Sequence, residues 1–345
     1  MRRRFVVTAF AMFLVAAVGV WGTARSGTPA DETVALTRSL SELEQRLGST
    51  APQLLPILGS LADLQFEQGQ FADATAQRRR SLKIAIAAYG NASLPAAKAM
   101  AALAALYIER RRYLDAEPLA VIAANLLRDR FGESNPALTP ILADRARIAL
   151  ARGDNGEARK WAEKAIEIDK KSGTPQTAHL RVLGAVLVAQ NQFEESEGVL
   201  RQAIALARAD GNQFETARSL ATLSDIDMKQ KRFEEALPLI EEAVLIDQTN
   251  LGPTHPLIAE DFHDLGLIYL AANRPGLAAK TFESAIALLE RGAGRNTPTL
   301  AYIQLDLARA EHILGHVEKS RSLFTAARRI LNAAEDEERD RQRSA

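Results

Sequence analysis

The 345-residue chain has no cysteine. That absence excludes disulfide scaffolds, thiol nucleophiles, iron–sulfur clusters and cysteine-based zinc sites together. Nor is there an excess of charge of one sign, since 43 Lys and Arg stand against 43 Asp and Glu. Such a balance argues against a nucleic-acid binder that relies on bulk positive charge, although a local basic patch is still allowed. Aromatic residues make up only 6% of the chain, with 20 glycines and 13 prolines. Hydrophobic residues reach 47%, many of them Ala and Leu, a composition for helices packed closely on helices. No glycine-rich phosphate loop, GxSxG elbow, HExxH pair or EF-hand loop occurs. Neither catalysis nor a cofactor, metal or small-molecule substrate is therefore expected.

The N-terminus reads as a targeting segment. Arg2, Arg3 and Arg4 precede an uncharged run from Phe5 to Trp21, followed by small and polar residues up to Ala30. Basic, apolar and small stretches in that order describe a secretory signal. The run spans roughly 25 Å as a helix, somewhat less than a hydrocarbon core of about 30 Å. A signal peptide over residues 1–24 is the reading, with an uncleaved membrane anchor at Phe5 to Trp21 as its alternative. The Arg2–Val6 string also resembles a twin-arginine signal. In each case the basic flank stays inside and the remainder lies outside the cytoplasm, periplasmic or secreted. Losing residues 1–24 removes three arginines and no acid, which leaves a small acidic excess.

Beyond residue 30 the chain repeats. Glycines suited to the end of a helix recur at Gly48, Gly90, Gly132, Gly173, Gly211, Gly252 and Gly294, at intervals of 38 to 42 residues. Prolines follow six of them, at Pro52, Pro95, Pro136, Pro175, Pro256 and Pro298, where a fixed φ favours a first helical turn. A second break falls midway, as in Gln68-Gly69-Gln70 and Gln190-Asn191-Gln192, and divides each unit into two antiparallel helices. Small residues flank that break twelve apart: Ala62 with Ala74, Ala104 with Ala116, Ala146 with Ala158, Gly184 with Ser196, Ser224 with Ala236, Gly266 with Ala278, Ala308 with Ser320. Helices approach closely only where neither carries bulk at the crossing. A further small position, Ser81, Ala123, Ala165, Ala203, Ala243, Ala285 and Ala327, suits the contact with the next unit.

This pattern, with Phe71, Tyr113, Phe193 or Phe233 following the break, resembles the tetratricopeptide repeat family. The 42-residue unit and loops such as Leu251-Gly252-Pro253-Thr254-His255-Pro256 resemble the kinesin-light-chain type of repeat. The resemblance implies an all-α, right-handed superhelical solenoid of about seven helix hairpins over residues 55–332. Residues 31–54 would be an N-terminal capping helix and 333–345 a charged tail that frays. Asn155, Pro275 and Val317 replace the aromatic residue, and Arg78 replaces an apolar one, so looser packing is expected there.

In proteins of this type the first helix of each hairpin lines a concave groove. The matching positions here are apolar in the second unit, at Ala101, Ala105 and Ile108, then basic at Arg147, Arg181, Arg218 and Lys229. Asp225, Glu260, His263, Arg309 and His312 complete the lining. The expectation is a non-catalytic scaffold that takes a protein or peptide in this groove, its basic residues pairing the partner's carboxylates. A membrane-anchored sensor module is the alternative. His263 with Glu260 and Asp264 forms one i, i+3, i+4 cluster, open to a less favoured metal-hydrolase reading and otherwise a solvated face. His312 and His316 are separated by the turn at Gly315, and His255 reads as a turn residue.

Overall fold

The computed structural model describes residues 29–252, 255, 257–292 and 297–344. The segment from Phe5 to Trp21 and the period glycine Gly294 lie outside them. Among the described residues the secondary structure is helical throughout, with no strand. A leading helix α1 (Pro29–Leu47) is followed by seven hairpins. These are α2 (Leu55–Glu67) with α3 (Phe71–Tyr89), α4 (Leu94–Glu109) with α5 (Tyr113–Phe131), and α6 (Thr139–Ala151) with α7 (Asn155–Ser172). Then come α8 (Thr177–Ala189) with α9 (Phe193–Ala209), α10 (Gln213–Lys229) with α11 (Phe233–Leu251), α12 (Ile258–Ala271) with α13 (Pro275–Gly292), and α14 (Pro298–Ile313) with α15 (Val317–Ser344). One-turn 3-10 helices at Pro52–Leu54 and Pro136–Leu138 lead into α2 and α6. Each helix packs on the next, and first helices from α4 onward also touch the first helix of the following unit. Successive second helices do so less, so the first helices form the inner wall of the solenoid and the second helices splay on the outside.

The small residues lie at the crossings, as their spacing requires. Ala74, Ala104, Ala116, Ala146, Ala158, Ala236 and Ala278 are buried, and so are Ser196 and Ser224. Where serine stands in the second helix it donates back to the first: Ser196 Oγ to the Gly184 carbonyl and Ser320 Oγ to the Ala308 carbonyl, each at 2.8 Å. Gly184 and Gly266 mark the closest approaches. A Cβ on Gly184 would stand 2.6 Å from Leu200 Cγ, and one on Gly266 would overlap the Phe282 ring.

Every hairpin turn contains one residue at positive φ. Glycine fills the role at Gly69, Gly153 and Gly315, and asparagine at Asn191 and Asn273, but Arg111 (φ 54°) and Lys231 (φ 61°) fill it in the second and fifth units. A side chain with a Cβ costs roughly 1–2 kcal/mol in that conformation. The period glycines differ from expectation in detail. Gly173 is left-handed, whereas Gly90 pairs φ 84° with ψ 160° and Gly132 φ 84° with ψ 166°, a region open only to glycine. Pro175 lies in the loop before α8 and opens no helix.

Asn155 does not simply loosen its unit. Its side chain donates to the Ala189 carbonyl at 3.2 Å, while Gln190 Nε2 donates to the Asn155 carbonyl at 3.1 Å. Val317 is left exposed. Arg78 pairs with Asp63 and fills the space over Gly59. At the C-terminus α15 continues unbroken to Ser344, where a fraying tail was expected, because the Ala, Glu, Arg and Gln of that stretch are good helix formers.

Candidate functional site: the concave wall

The inner wall is built from one face of each first helix, and the expected groove residues meet different fates on it. Ala101 and Ala105 are half-buried, with Ala101 packed against the core. Ile108 is 1% exposed and belongs to that core, so it presents nothing to a ligand. It falls on the side of α4 that packs against neighbouring helices, a side that a fixed list of wall positions does not separate from the open one.

The basic stretch is corrected more substantially, because its charges are already neutralised. Arg147 Nη1 donates to Glu109 Oε1 at 2.6 Å, with Asp144 Oδ1 at 3.8 Å. Arg181 Nε donates to Glu215 Oε2 at 2.8 Å, and Glu215 is nearly fully buried. Arg218 Nη2 donates to both oxygens of Asp261, at 2.6 and 2.8 Å, and also bonds Asp247. Asp247 and Asp261 are 2% and 1% exposed, so one guanidinium serves two buried carboxylates. Burial raises the Asp261 carboxyl well above the usual range, opposed by Arg218 and reinforced by Asp247. Lys229 Nζ lies 3.5 Å from Asp225. The three arginines tie one unit to the next and are not free to pair a partner's carboxylates, whereas Lys229 pairs within its own helix.

From α6 to α12 the wall also carries acidic groups whose charge burial disfavours. Asp144 is raised to about 7, chiefly by burial and further by Glu109, although Arg147 opposes both. Asp264 is open to the lumen, yet the surrounding wall, with Glu260 and Asp225 adding repulsion, lifts it to about 6. Asp225 is raised by burial against the pull of Lys229. Toward the C-terminal end, Arg309 and His312 are exposed.

The superhelix closes on itself around this wall. Arg111 Nε, in the turn of the second unit, lies 3.4 Å from Glu260 Oε1 in the first turn of α12. His255 is 5% exposed and is more than a turn residue. Its Nδ1 accepts the Leu257 N–H at 3.1 Å, which leaves the proton of the neutral ring on Nε2. Nε2 is turned toward the Phe66 and Glu67 carbonyls of the first unit, short of good hydrogen-bond geometry, and burial lowers its pKa. The concave surface is therefore a lumen rather than an open trough.

His179, His263 and His316 are each held by a single carboxylate. His263 Nε2 lies 2.8 Å from Asp306 Oδ2, across to α14 and away from the local cluster with Glu260 and Asp264. Among the described residues no group of three His, Asp or Glu side chains could hold a metal. His316 Nδ1 lies 2.5 Å from Glu311 Oε2, and Lys319 also reaches Glu311, at 2.6 Å. The buried pair of His179 with Asp169 had no signal in the sequence beyond the shortened period around it. Thr174 Oγ1 donates to the same Asp169 at 2.8 Å and so closes the loop into α8. Among the described residues no helix is long and apolar enough to cross a membrane.

Comparison with known proteins agrees with this architecture. The chain is 24% identical over 282 residues to Protein KINESIN LIGHT CHAIN-RELATED 1 of Arabidopsis thaliana, an alignment over 79% of this chain and 46% of that protein. With Protein KINESIN LIGHT CHAIN-RELATED 3 of the same organism the identity is 23% over 171 residues, 48% of this chain and 26% of that one. The chain thus spans less than half the length of these curated relatives. A crystal structure of a Rap protein complexed with competence and sporulation factor aligns over 91% of this chain and 89% of its own, with TM-score 0.63 and 12% identity. Aspartyl phosphate phosphatase F from Bacillus subtilis aligns over 84% of this chain and 73% of its own, with TM-score 0.55 and 14% identity. At those identities the likeness is one of fold. The profile of the MalT-like TPR region matches residues 141–337, more than half of the chain. Seven helix hairpins with small residues at every crossing, and that match, make the chain a member of the MalT-like TPR region family.

Proposed function

We propose that this protein is an exported, non-catalytic scaffold whose lumen takes a segment of a partner protein or peptide, the partner's basic side chains standing opposite Asp225 and Asp264. The observation that carries this reading is the charge of the wall. Its arginines at 147, 181 and 218 are consumed internally, while Asp225 and Asp264 gain by meeting a cation. A ligand ammonium or guanidinium supplies that cation and returns the desolvation cost that raises both carboxyls. A repeat solenoid of this type commonly serves as a binding surface without chemistry of its own. One fold neighbour was crystallised with competence and sporulation factor bound, which is consistent with a lumen that accepts a ligand.

Export rests on Arg2–Arg4 and the apolar run from Phe5 to Trp21. The alternative, a sensor held at the membrane by that run, separates from it by N-terminal sequencing of the protein recovered from soluble and membrane fractions. For the lumen, a photo-crosslinker at His312, exposed on the inner wall, captures in cells whatever approaches it. The expected result is a partner captured by the wild type and lost on Asp225→Lys with Asp264→Lys. An unchanged partner in the charge-reversed protein overturns the assignment.

A further inference from the structure

We propose that the furrow between α5 and α7, on the outer face of the solenoid, is a second binding site, one for a short acidic peptide segment. It is separate from the lumen. Arg145 and Arg147 are two residues apart on α6, about 200° around a helix, so Arg145 points outward where Arg147 points in. The furrow encloses about 760 Å³, within the ordinary range for ligand sites. Ala124, Leu138 and Leu142 give it an apolar floor, and Trp161 stands half-buried in its side.

The repeat itself shows that Arg145 is out of place for packing. At the equivalent position of the other six units the residue is Leu61, Leu103, Leu183, Leu223, Leu265 and Leu307, and each is buried. Only the third unit replaces that core leucine with a guanidinium, a substitution that packing does not reward. Local rules broken without a structural gain concentrate at functional sites. The group is also poorly partnered. Its Cζ stacks 3.7 Å from the Trp161 ring centroid. The nearest carboxylate, Glu157, is 3.8 Å away and accepts the Trp161 Nε1–H at 3.1 Å. Lys160 Nζ lies 5.2 Å from the same ring and makes no ion pair with the described residues, and Arg128, on the opposite bank, pairs among the described residues with its exposed neighbour Asp129 alone. Burial and the nearness of Arg128 disfavour the charge on Arg145, an expense that an incoming anion relieves.

The occupant follows from these groups. Arg145, Lys160 and Arg128 converge on an apolar floor, which suits carboxylates spaced around an apolar side chain. Glu133, Glu163 and Glu167 interrupt the positive charge along the rim, so the surface lacks the continuous cationic track that a phosphate backbone requires.

The test uses the purified full chain with Trp21→Phe, which leaves Trp161 as its one tryptophan, and reads that fluorescence with acetyl-Glu-Asp-Leu-Glu-Asp-amide as the probe and acetyl-Lys-Lys-Leu-Lys-Lys-amide as control. The acidic peptide is expected to give a saturable change with Kd below roughly 1 mM, and the basic peptide none. Arg145→Leu restores the residue that the other units carry, so it should fold with an equal or higher Tm and bind the probe at least tenfold more weakly. Lys160→Gln should weaken binding severalfold, while Asp225→Lys with Asp264→Lys in the lumen should leave it unchanged, which separates this site from the lumen reading. No saturable change, equal response to both peptides, a stronger response to single-stranded oligothymidylate, or full binding by a folded Arg145→Leu protein each overturns the proposal.

Discussion

Arg111 of the second unit reaches Glu260 of the sixth, Nε to Oε1 at 3.4 Å, from a turn whose φ of 54° glycine would hold with less strain. A strained residue that also bridges distant units points to a role in holding the superhelix shut. Both partners are exposed, so the pair contributes about 0–1 kcal/mol to global stability. Arg111→Gly should therefore leave Tm almost unchanged, the turn strain relieved offsetting the lost pair and the looser unfolded chain. Shape should change instead. The chain has no cysteine, so spin labels at Leu114→Cys and Leu277→Cys, both exposed positions, report the distance across the closure. A longer, broader distribution is expected in Arg111→Gly, and in the parent at 1 M salt, where the screening length falls to about 3 Å. Identical distributions would show that the pair does not hold the closure.

Arg218 carries far more of the fold than Arg111, because its partners are buried. Replacing it with Ala strands Asp247 and Asp261 in the core between the fifth and sixth units, at a cost of about 3–5 kcal/mol. Calorimetry should show a large drop in Tm. Most of it should return in the triple variant Arg218→Met, Asp247→Asn, Asp261→Asn, where no charge remains to be desolvated. A single Arg218→Ala protein as stable as the parent would mean that these carboxylates already hold enough protons to need no partner.

Much of this fold was legible in the sequence because the repeat writes each rule seven times. One glycine or one alanine carries little information, but Ala104 with Ala116 and Gly266 with Ala278 at the same spacing define a crossing. The turn glycines and asparagines could be read in the same way, and the break at Lys229-Gln230-Lys231-Arg232-Phe233 with them, whereas the positive φ of Arg111 and Lys231 could not. The candidate site was harder to read, since a list of wall positions gives side chains without their neighbours. Arg147 and Arg218 read as free cations because Glu109 and Asp261 lie 38 and 43 residues away, one unit back or forward. The contacts of His255 with the first unit and of Arg111 with the sixth depend on superhelical pitch, which no local pattern encodes. Arg145 did break a pattern visible in the sequence, in that all its equivalents are leucine.

Gly266→Ala tests the close crossing of α12 and α13. Alanine gains up to about 1 kcal/mol in helix propensity, but its Cβ meets the fully buried Phe282 ring, an overpacking of about 1–3 kcal/mol. The expected result is a net loss of about 1 kcal/mol, read from denaturant midpoints. Phe282→Leu in the same protein should recover part of it by making room. A stabilised single variant would mean that the ring moves aside freely.

Asp144 gives the wall a pH dependence whose sign is fixed by the direction of its shift. Its carboxyl is raised to about 7 in the folded protein, against about 3.9 in an unfolded chain. Between those values the folded state holds the extra proton, so this group's contribution to stability is greatest below pH 4 and is lost as pH rises toward 7. The carboxyl keeps some solvent contact, so the loss is roughly 1–2 kcal/mol, less than the full linkage value. Asp144→Asn removes the titration while leaving Arg147 its pair with Glu109. At pH 8 the variant should be more stable than the parent by that amount, and at pH 4 the two should converge. Unfolding midpoints measured across pH 4 to 8 decide the matter: parallel curves for parent and variant would mean that Arg147 already compensates Asp144 in full.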